Sequence, residues 1–418
     1  MTNIIIEERM KKILTAAAII LLLSGCKKEE TSPTGQTPQN TPPWESGQNA
    51  EGVFGRPNFT LNGTDSVGQN TIPGPWGLAI APNGALFVVD QRAHRILRFD
   101  NAASRTSGGA ADGVLGQPDF TSRVWNYSAG GSTPSANGFE TPTSVAVDPS
   151  GNLFVLDQAN QRVLRFNNAA SKPNGASADA VLGQPNFTSK NFKTTQSGFF
   201  SPQGVAVDAS GNLYVADGSN NRVLRFNNAA SKANGAAADA VFGQIDFTTS
   251  AKGEGANKMW NPTSIAVDND GNLYVGERGN CRVLIFLNAV SKANGANADI
   301  VLGKPDFADN STPTIASSTN IYLPYALAMD EKKNLYVADG GFNRLLIFYS
   351  APTKQNGAAA DAVIGKKDFT SSSVTAALAD NIGQPYGVAV QSTTGKLFAS
   401  CYSNSRVLRF QAKSSLVP

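Results

Sequence analysis

The stretch GNLYVADGSNNRVLRF, residues 211–226, decides the fold, because the chain spells it more than once. GNLFVLDQANQRVLRF occupies 151–166, and GNLYVGERGNCRVLIF occupies 271–286. In each copy a run of β-branched and aromatic residues ends on an acid. A turn holding Asn or Gly follows, and an arginine opens a second β-rich run. This is the pattern of a hairpin. Upstream of each unit stands a proline: Pro75, Pro142, Pro202, Pro262, Pro324 and Pro385. One variable residue follows, then a small one, then an apolar–Ala–apolar triplet such as Val205-Ala206-Val207. Each unit therefore predicts three short antiparallel strands, at a period of roughly 60 residues, the scale of a propeller blade with a long connection.

A fourth element recurs separately. It reads VLGQPDF at 114–120 and returns from Val181, Val241, Val301 and Val363, each time after an Ala/Asn/Gly-rich connector such as 227–240. The connector is expected to hold a turn of helix. The first copy, VFGRPNF at 53–59, precedes the first proline unit, and the last unit, 385–410, has none after it. Six three-strand units and six fourth strands are thus offset by one. A linear solenoid needs capping repeats at both ends, and neither end reads as one. A ring accounts for the offset and leaves no open sheet edge. The expected fold is all-β: a six-bladed β-propeller of four-stranded blades over 53–410, closed by the N-terminal strand 53–59 joining the last blade.

The pattern Pro-x-Gly-Val-Ala-Val-Asp, Gly-Asn-Leu-Tyr-Val-x-Asp, Asn-x-Arg-Val, clearest at 202–223, resembles the NHL repeat. The resemblance extends over 53–410. It implies the propeller fold and leaves function open: NHL-type propellers and their relatives serve as protein-binding, RNA-binding and sensor modules, and occasionally as lyases or lactonases.

The acid–arginine pairs are Asp90 with Arg95, Asp157 with Arg162, Asp217 with Arg222, Glu277 with Arg282, and Asp339 with Arg344. A catalytic group is needed once, and five copies point to a structural clamp between a guanidinium fork and a carboxylate. In the sixth copy Cys401 replaces the acid beside Arg406, so a different turn is expected there. Asp148, Asp208, Asp268 and Asp330 read as Asx turns rather than as a ring of cation ligands. Cys281 and Cys401 belong to blades that are not neighbours, and a disulfide needs Cα atoms within about 7 Å, so both are expected as free thiols. His94 occupies a variable turn position and is expected to be exposed and inert.

Function is sought where the copies disagree. The residue after the opening proline is Trp76, Thr143, Gln203, Thr263, Tyr325 or Tyr386. Ring order makes blades five, six and one neighbours, so Trp76, Tyr325 and Tyr386 form an aromatic arc at one mouth of the channel, facing a small polar arc. Such a mouth is a candidate ligand site. The loop 121–141 carries Trp125 and is a candidate to fold over that mouth. Bulky residues before the other prolines, Phe199-Phe200, Met259-Trp260 and Ile321-Tyr322, are expected to pack between blades.

The formal charge of +3 over 418 residues gives no polybasic footprint for nucleic acid. One histidine leaves little material for a His-ligated metal site. No cofactor and no metal site are predicted, with a divalent cation in the channel kept open. The N-terminus reads MKKILTAAAIILLLSGC from Met10 to Cys26, a basic start, a short apolar run and Leu23-Ser24-Gly25-Cys26. It resembles a bacterial lipoprotein signal. Residues 1–25 are expected to be the signal peptide, with Met10 a candidate true start, and Cys26 the lipidated residue. Residues 26–52 then form a flexible tether and 411–418 a tail. The expected protein is a monomeric propeller on the bacterial outer membrane, facing the periplasm or the exterior, which binds a protein, peptide or glycan. The alternative is a metal-dependent lactonase- or lyase-like enzyme with its site in the channel.

Overall fold

The computed structural model describes residues 41–418 except position 375; the expected signal peptide and lipidated Cys26 lie outside these residues. Six four-stranded antiparallel sheets make a β-propeller. Blade three shows the plan: Pro202–Val207, Leu213–Asp217, Arg222–Phe226 and Ala240–Phe242, from the channel outward. The connector holds one 3-10 turn, Ala229–Ser231. Blade six takes Val388–Gln391, Lys396–Cys401 and Arg406–Gln411 from the C-terminus and Gly52–Phe54 from the N-terminus. Gly52 pairs with Arg409 and Phe54 with Val407. All inner strands run from one face of the ring, here called the front, to the other, the rear.

The closure reaches further than one strand. In blade three the connector is held by Ala229 N–H donating to Gly211 O at 2.9 Å and by Ala238 N–H donating to Gln196 O at 2.9 Å. Blade six repeats both bonds with its connector cut in two: Ala412 N–H donates to Gly395 O at 2.8 Å, and Ala50 N–H to Ala379 O at 2.9 Å. Lys413 N–H donates to Pro43 O at 2.9 Å, stitching the two chain ends together. Trp44 is 2% exposed, and its indole N–H donates to Tyr336 Oη at 2.8 Å. Leu416 is fully buried in the same cluster. Residues 42–52 of the expected tether and 411–418 of the expected tail are therefore part of the propeller. Their Pro/Gln/Asn-rich composition hid them because every connector in this ring is poor in large apolar residues and is held by its backbone.

In five of the six hairpins the repeated acid and arginine form a buried clamp. Arg222 donates through Nε to Asp217 Oδ2 at 2.8 Å, through one terminal nitrogen to Phe247 O, and through the other to Thr195 O and Gly198 O at 2.8 and 3.0 Å. Phe200 N–H donates to the other carboxylate oxygen at 2.7 Å. One side chain thus ties the hairpin to the loop leaving the blade and to the loop entering it. Arg95, Arg162, Arg282 and Arg344 do the same, and all are fully buried. Burial lifts the carboxyls of Asp217 and Asp339 to about 6 against the pull of the neighbouring guanidinium.

In blade six Arg406 keeps its carbonyl partners Phe59, Leu378 and Asn381, but its Nε meets no oxygen, and the Cys401 thiol stands in the acid's place. The turn is nonetheless the same as elsewhere. Tyr402–Asn404 form a 3-10 turn ended by Ser405 at φ 52°, as Gly218–Asn220 are ended by Asn221 at φ 50°. The expected difference is absent because the left-handed residue and the carbonyl bonds of the arginine set the turn without the carboxylate. Cys281 and Cys401 are buried free thiols. Cys401→Asp should give Arg406 Nε the missing acceptor and raise stability by about 2 kcal/mol, the scale of a hydrogen bond to a charged group. Urea denaturation of the two proteins checks this, with a lower midpoint as the contrary result.

Candidate ligand site at the front mouth

The third residue of each inner strand is small because neighbouring strands approach closely at the axis. A Cβ on Gly204 would lie 2.6 Å from Thr263 O, and one on Gly387 would lie 2.0 Å from Trp76 O. This packing closes the channel to a cavity of about 40 Å³ lined by Ser144, Ser264, Leu78 and their neighbours, room for a water molecule or so. A ligand can cover the mouth but not enter. At the rear the channel opens into a funnel of about 470 Å³ walled by one aliphatic residue per blade: Ile80, Val147, Val207, Val267, Met329 and Val390.

At the front the residues after the opening prolines converge. Trp76 and Tyr386 have ring centroids 4.3 Å apart, Tyr325 and Tyr386 4.3 Å, and Trp76 and Tyr325 6.3 Å. All three are half-buried. Burial, with the Tyr325 hydroxyl alongside, pushes Tyr386 up to about 12, so its phenol stays protonated. A fourth ring, Tyr402, joins at 4.9 Å from Tyr386 and 5.6 Å from Trp76. Arg92 stacks on Tyr402 at 4.7 Å and is paired with Asp65 at 3.1 Å. Arg278 is exposed, and its guanidinium carbon lies 5.5 Å from the Tyr325 ring centroid. Tyr402 and Arg278 both directly follow the acid position of their hairpins. That position reads Gln91, Gln158, Gly218, Arg278, Gly340 and Tyr402, a disagreement between copies that marks it as plainly as the post-proline position.

The polar arc behaves otherwise. The hydroxyl of Thr143 donates to Gln203 O at 3.1 Å, and that of Thr263 to Pro324 O at 2.8 Å; both side chains are 3% exposed. These threonines staple adjacent inner strands and are corrected from ligand contacts to structural ones. Gln203 is half-buried, and its amide donates to Asn261 Oδ1 at 3.1 Å. The aspartates at the rear are occupied locally: Asp208 accepts from Ser210 N–H and Asn212 N–H at 2.9 Å each and from the Asn212 amide at 2.8 Å. Asp148, Asp268 and Asp330 bond their own turns in the same way. Among the described residues no three of His, Cys, Asp or Glu converge on a common point.

Trp125 is 51% exposed and packs edge-on against His94 at 6.0 Å, at the rim and away from the central rings. The other loops hold a second surprise. Phe199, Met259 and Ile321 are buried as expected, but the residue after each turns outward, because successive side chains of extended backbone point to opposite sides. Phe200 is 39% exposed and stacks on Phe192 at 4.8 Å; Trp260 lies under the Lys252 ammonium at 4.0 Å. Tyr322 lies against Phe342 at 5.5 Å.

His94 is half-buried and has a role. It is the left-handed residue of its turn, and its Nδ1 accepts Thr141 N–H at 3.1 Å. At the equivalent positions Gln161 accepts Ser201 N–H at 2.6 Å, Asn221 accepts Asn261 N–H at 2.8 Å and Asn343 accepts Gln384 N–H at 3.0 Å, so the bond joins blades one, two, three and five to the next. Burial lowers the His94 pKa from its ordinary value. The unfolded chain then takes up its proton first, so this contribution to stability is whole above about pH 6.5 and is lost as the pH falls through the folded value. In His94→Gln that component should vanish: the stability difference between wild type and variant should change between pH 7.5 and 5.5, read from urea midpoints, and a constant difference would contradict the role.

Comparison with known proteins agrees with this fold. The NHL repeat pattern matches residues 199–226 and 259–286, the hairpin-bearing parts of blades three and four. No curated protein matches the chain in sequence. Among solved structures, a structural genomics protein from Bacteroides thetaiotaomicron VPI-5482 is similar at 13% identity and a TM-score of 0.52, covering 89% of this chain and 75% of that one. Hydrazine synthase of Kuenenia stuttgartiensis (14% identity, TM-score 0.48, 84% of this chain and 97% of that one) and virginiamycin B lyase from Staphylococcus aureus (12%, 0.43, 82% and 96%) are more distant. At these identities the likeness concerns the fold alone. The chain carries NHL repeats in a six-bladed β-propeller.

Proposed function

We propose that the protein is a cell-envelope lipoprotein whose propeller binds a ligand over the front mouth. The observation that carries the reading is the patch of four half-buried aromatic rings, Trp76, Tyr325, Tyr386 and Tyr402, bordered by Arg278 and Arg92. Aromatic rings left partly open beside polar groups are the usual lining of a binding surface. The sealed channel beneath favours a ligand that lies flat, such as a sugar ring or a planar or prolyl side chain of a peptide. The described chain begins beside Lys413, past the rear end of the Arg406–Gln411 strand, so the residue where a tether would join lies on the side away from the rings.

Binding to a panel of soluble oligosaccharides and Pro- or aromatic-rich peptides tests the site. Trp76→Ala with Tyr386→Ala should weaken binding at least tenfold while circular dichroism and the unfolding midpoint report a folded propeller. Unchanged affinity in the double variant would remove the mouth from consideration. For the anchor, cells given a labelled fatty acid should label the wild-type protein, and Cys26→Ala should abolish the label; a variant labelled as strongly as wild type would refute lipidation at Cys26.

A further inference from the structure

The charges of this molecule are not distributed evenly. On the connectors Lys172, Lys232, Lys292 and Lys354 are each paired with an aspartate, Asp179, Asp239, Asp299 and Asp361, at 2.8 to 3.0 Å. On the front face, in the loops between blades one and four and the turn of blade four, Arg123, Lys193, Lys252, Lys258 and Arg278 have no carboxylate within ion-pair distance among the described residues. The four acids of the same loops are engaged: Glu140 faces Lys190 at 3.7 Å, Glu254 accepts from Asn310 at 3.2 Å, Asp119 accepts the N–H groups of Thr121 and Ser122 at 2.8 Å, and Asp246 those of Thr248 and Thr249 at 2.8 and 2.9 Å. Those same loops carry the outward rings Trp125, Phe192, Phe200 and Trp260, and the Lys252 ammonium lies over the Trp260 ring at 4.0 Å. Phe192 is 67% exposed.

We infer that the ligand of the front face is an acidic polysaccharide, held at the central rings and along the rim of blades two to four. This rests on the front mouth being a ligand site and names the ligand's chemical class. The C–H-rich face of a pyranose stacks on the negative face of an aromatic ring, and uronate carboxylates, one per residue or fewer, match cations spaced one or two to a loop. Arg278 and Lys252 each sit over a ring, Tyr325 and Trp260, which places charge beside a stacking platform. Amide side chains at the same places, Gln203, Asn261 and Gln158, offer both donors and acceptors to hydroxyl groups. A polynucleotide carries a phosphate at every step and is met by a continuous basic groove, which isolated cations do not form.

The test compares polygalacturonate with its fully methyl-esterified form, which keeps the rings and loses the charge, and with poly(U). The purified protein is titrated with each at 20 and 200 mM salt, chosen as about one decade in ionic strength. Polygalacturonate should bind at least tenfold more tightly than the ester at low salt, and the gap should narrow at high salt. Lys193→Gln, Lys252→Gln and Arg278→Gln together should abolish the gap, and Phe192→Ala with Trp260→Ala should weaken both forms. Equal binding of acid and ester overturns the inference and leaves the front mouth standing. Tighter binding of poly(U) than of polygalacturonate overturns it in favour of a polynucleotide. Trp76-dependent binding of a peptide, with no polysaccharide bound, overturns it without touching the mouth. The absence of any binding by the folded protein overturns both.

Discussion

Everything in this ring depends on a guanidinium buried at the end of each hairpin. A blade of four short strands is weak alone, and the loops that enter and leave it are long and poor in large apolar residues. One arginine per blade answers both problems by donating to main-chain carbonyls of both loops and, in five of the six blades, to a carboxylate within its hairpin. A buried charge of this kind is costly to leave unpaired, so its partners are held firmly and the loops with them. Blade six shows which part of the arrangement is indispensable. The carboxylate has gone, the carbonyl bonds remain, and the turn is unchanged.

Holding the loops in place gives the front face its shape. The same six-fold order forces the inner strands together until only a small residue fits at their third position, and the channel closes. Chemistry or recognition is thereby displaced from the axis to the mouth. There the repeat permits variation at two positions per blade, after the opening proline and after the hairpin acid, because neither contributes to the clamp. Trp76, Tyr325, Tyr386, Tyr402 and Arg278 occupy those permitted positions. Thr143 and Thr263 occupy one of them too, but their short hydroxyls are drawn to the nearest carbonyl of the next strand. An aromatic side chain is too large to be absorbed in that way and stands over the mouth.

Much of the fold was legible because a repeat reports itself. The proline, the small residue and the arginine return in each copy and the acid in five of the six, and the offset of the first fourth strand demands a ring. The aromatic arc could be placed by ring order alone. Less was visible where a residue's role depends on what faces it. Trp44, Ala50 and Leu416 lie in segments whose composition is that of a flexible linker, and only the cut connector of blade six shows why they are buried. His94 has the local sequence of an exposed turn, yet the next blade brings Thr141 N–H to its ring. Phe200 and Trp260 look like core residues next to Phe199 and Met259.

By itself, then, the sequence determined the number of blades, the strands within each, the manner of closure and which positions break the symmetry. These are properties of spacing, and hydrophobic periodicity and turn chemistry act over a few residues. Tertiary structure decided which symmetry-breaking residues stand open at the mouth, which are consumed as staples, and which cations of the front loops stay unpaired. Those outcomes turn on partners about sixty residues away in the chain or at its opposite end, and local spacing holds no record of the distance between them.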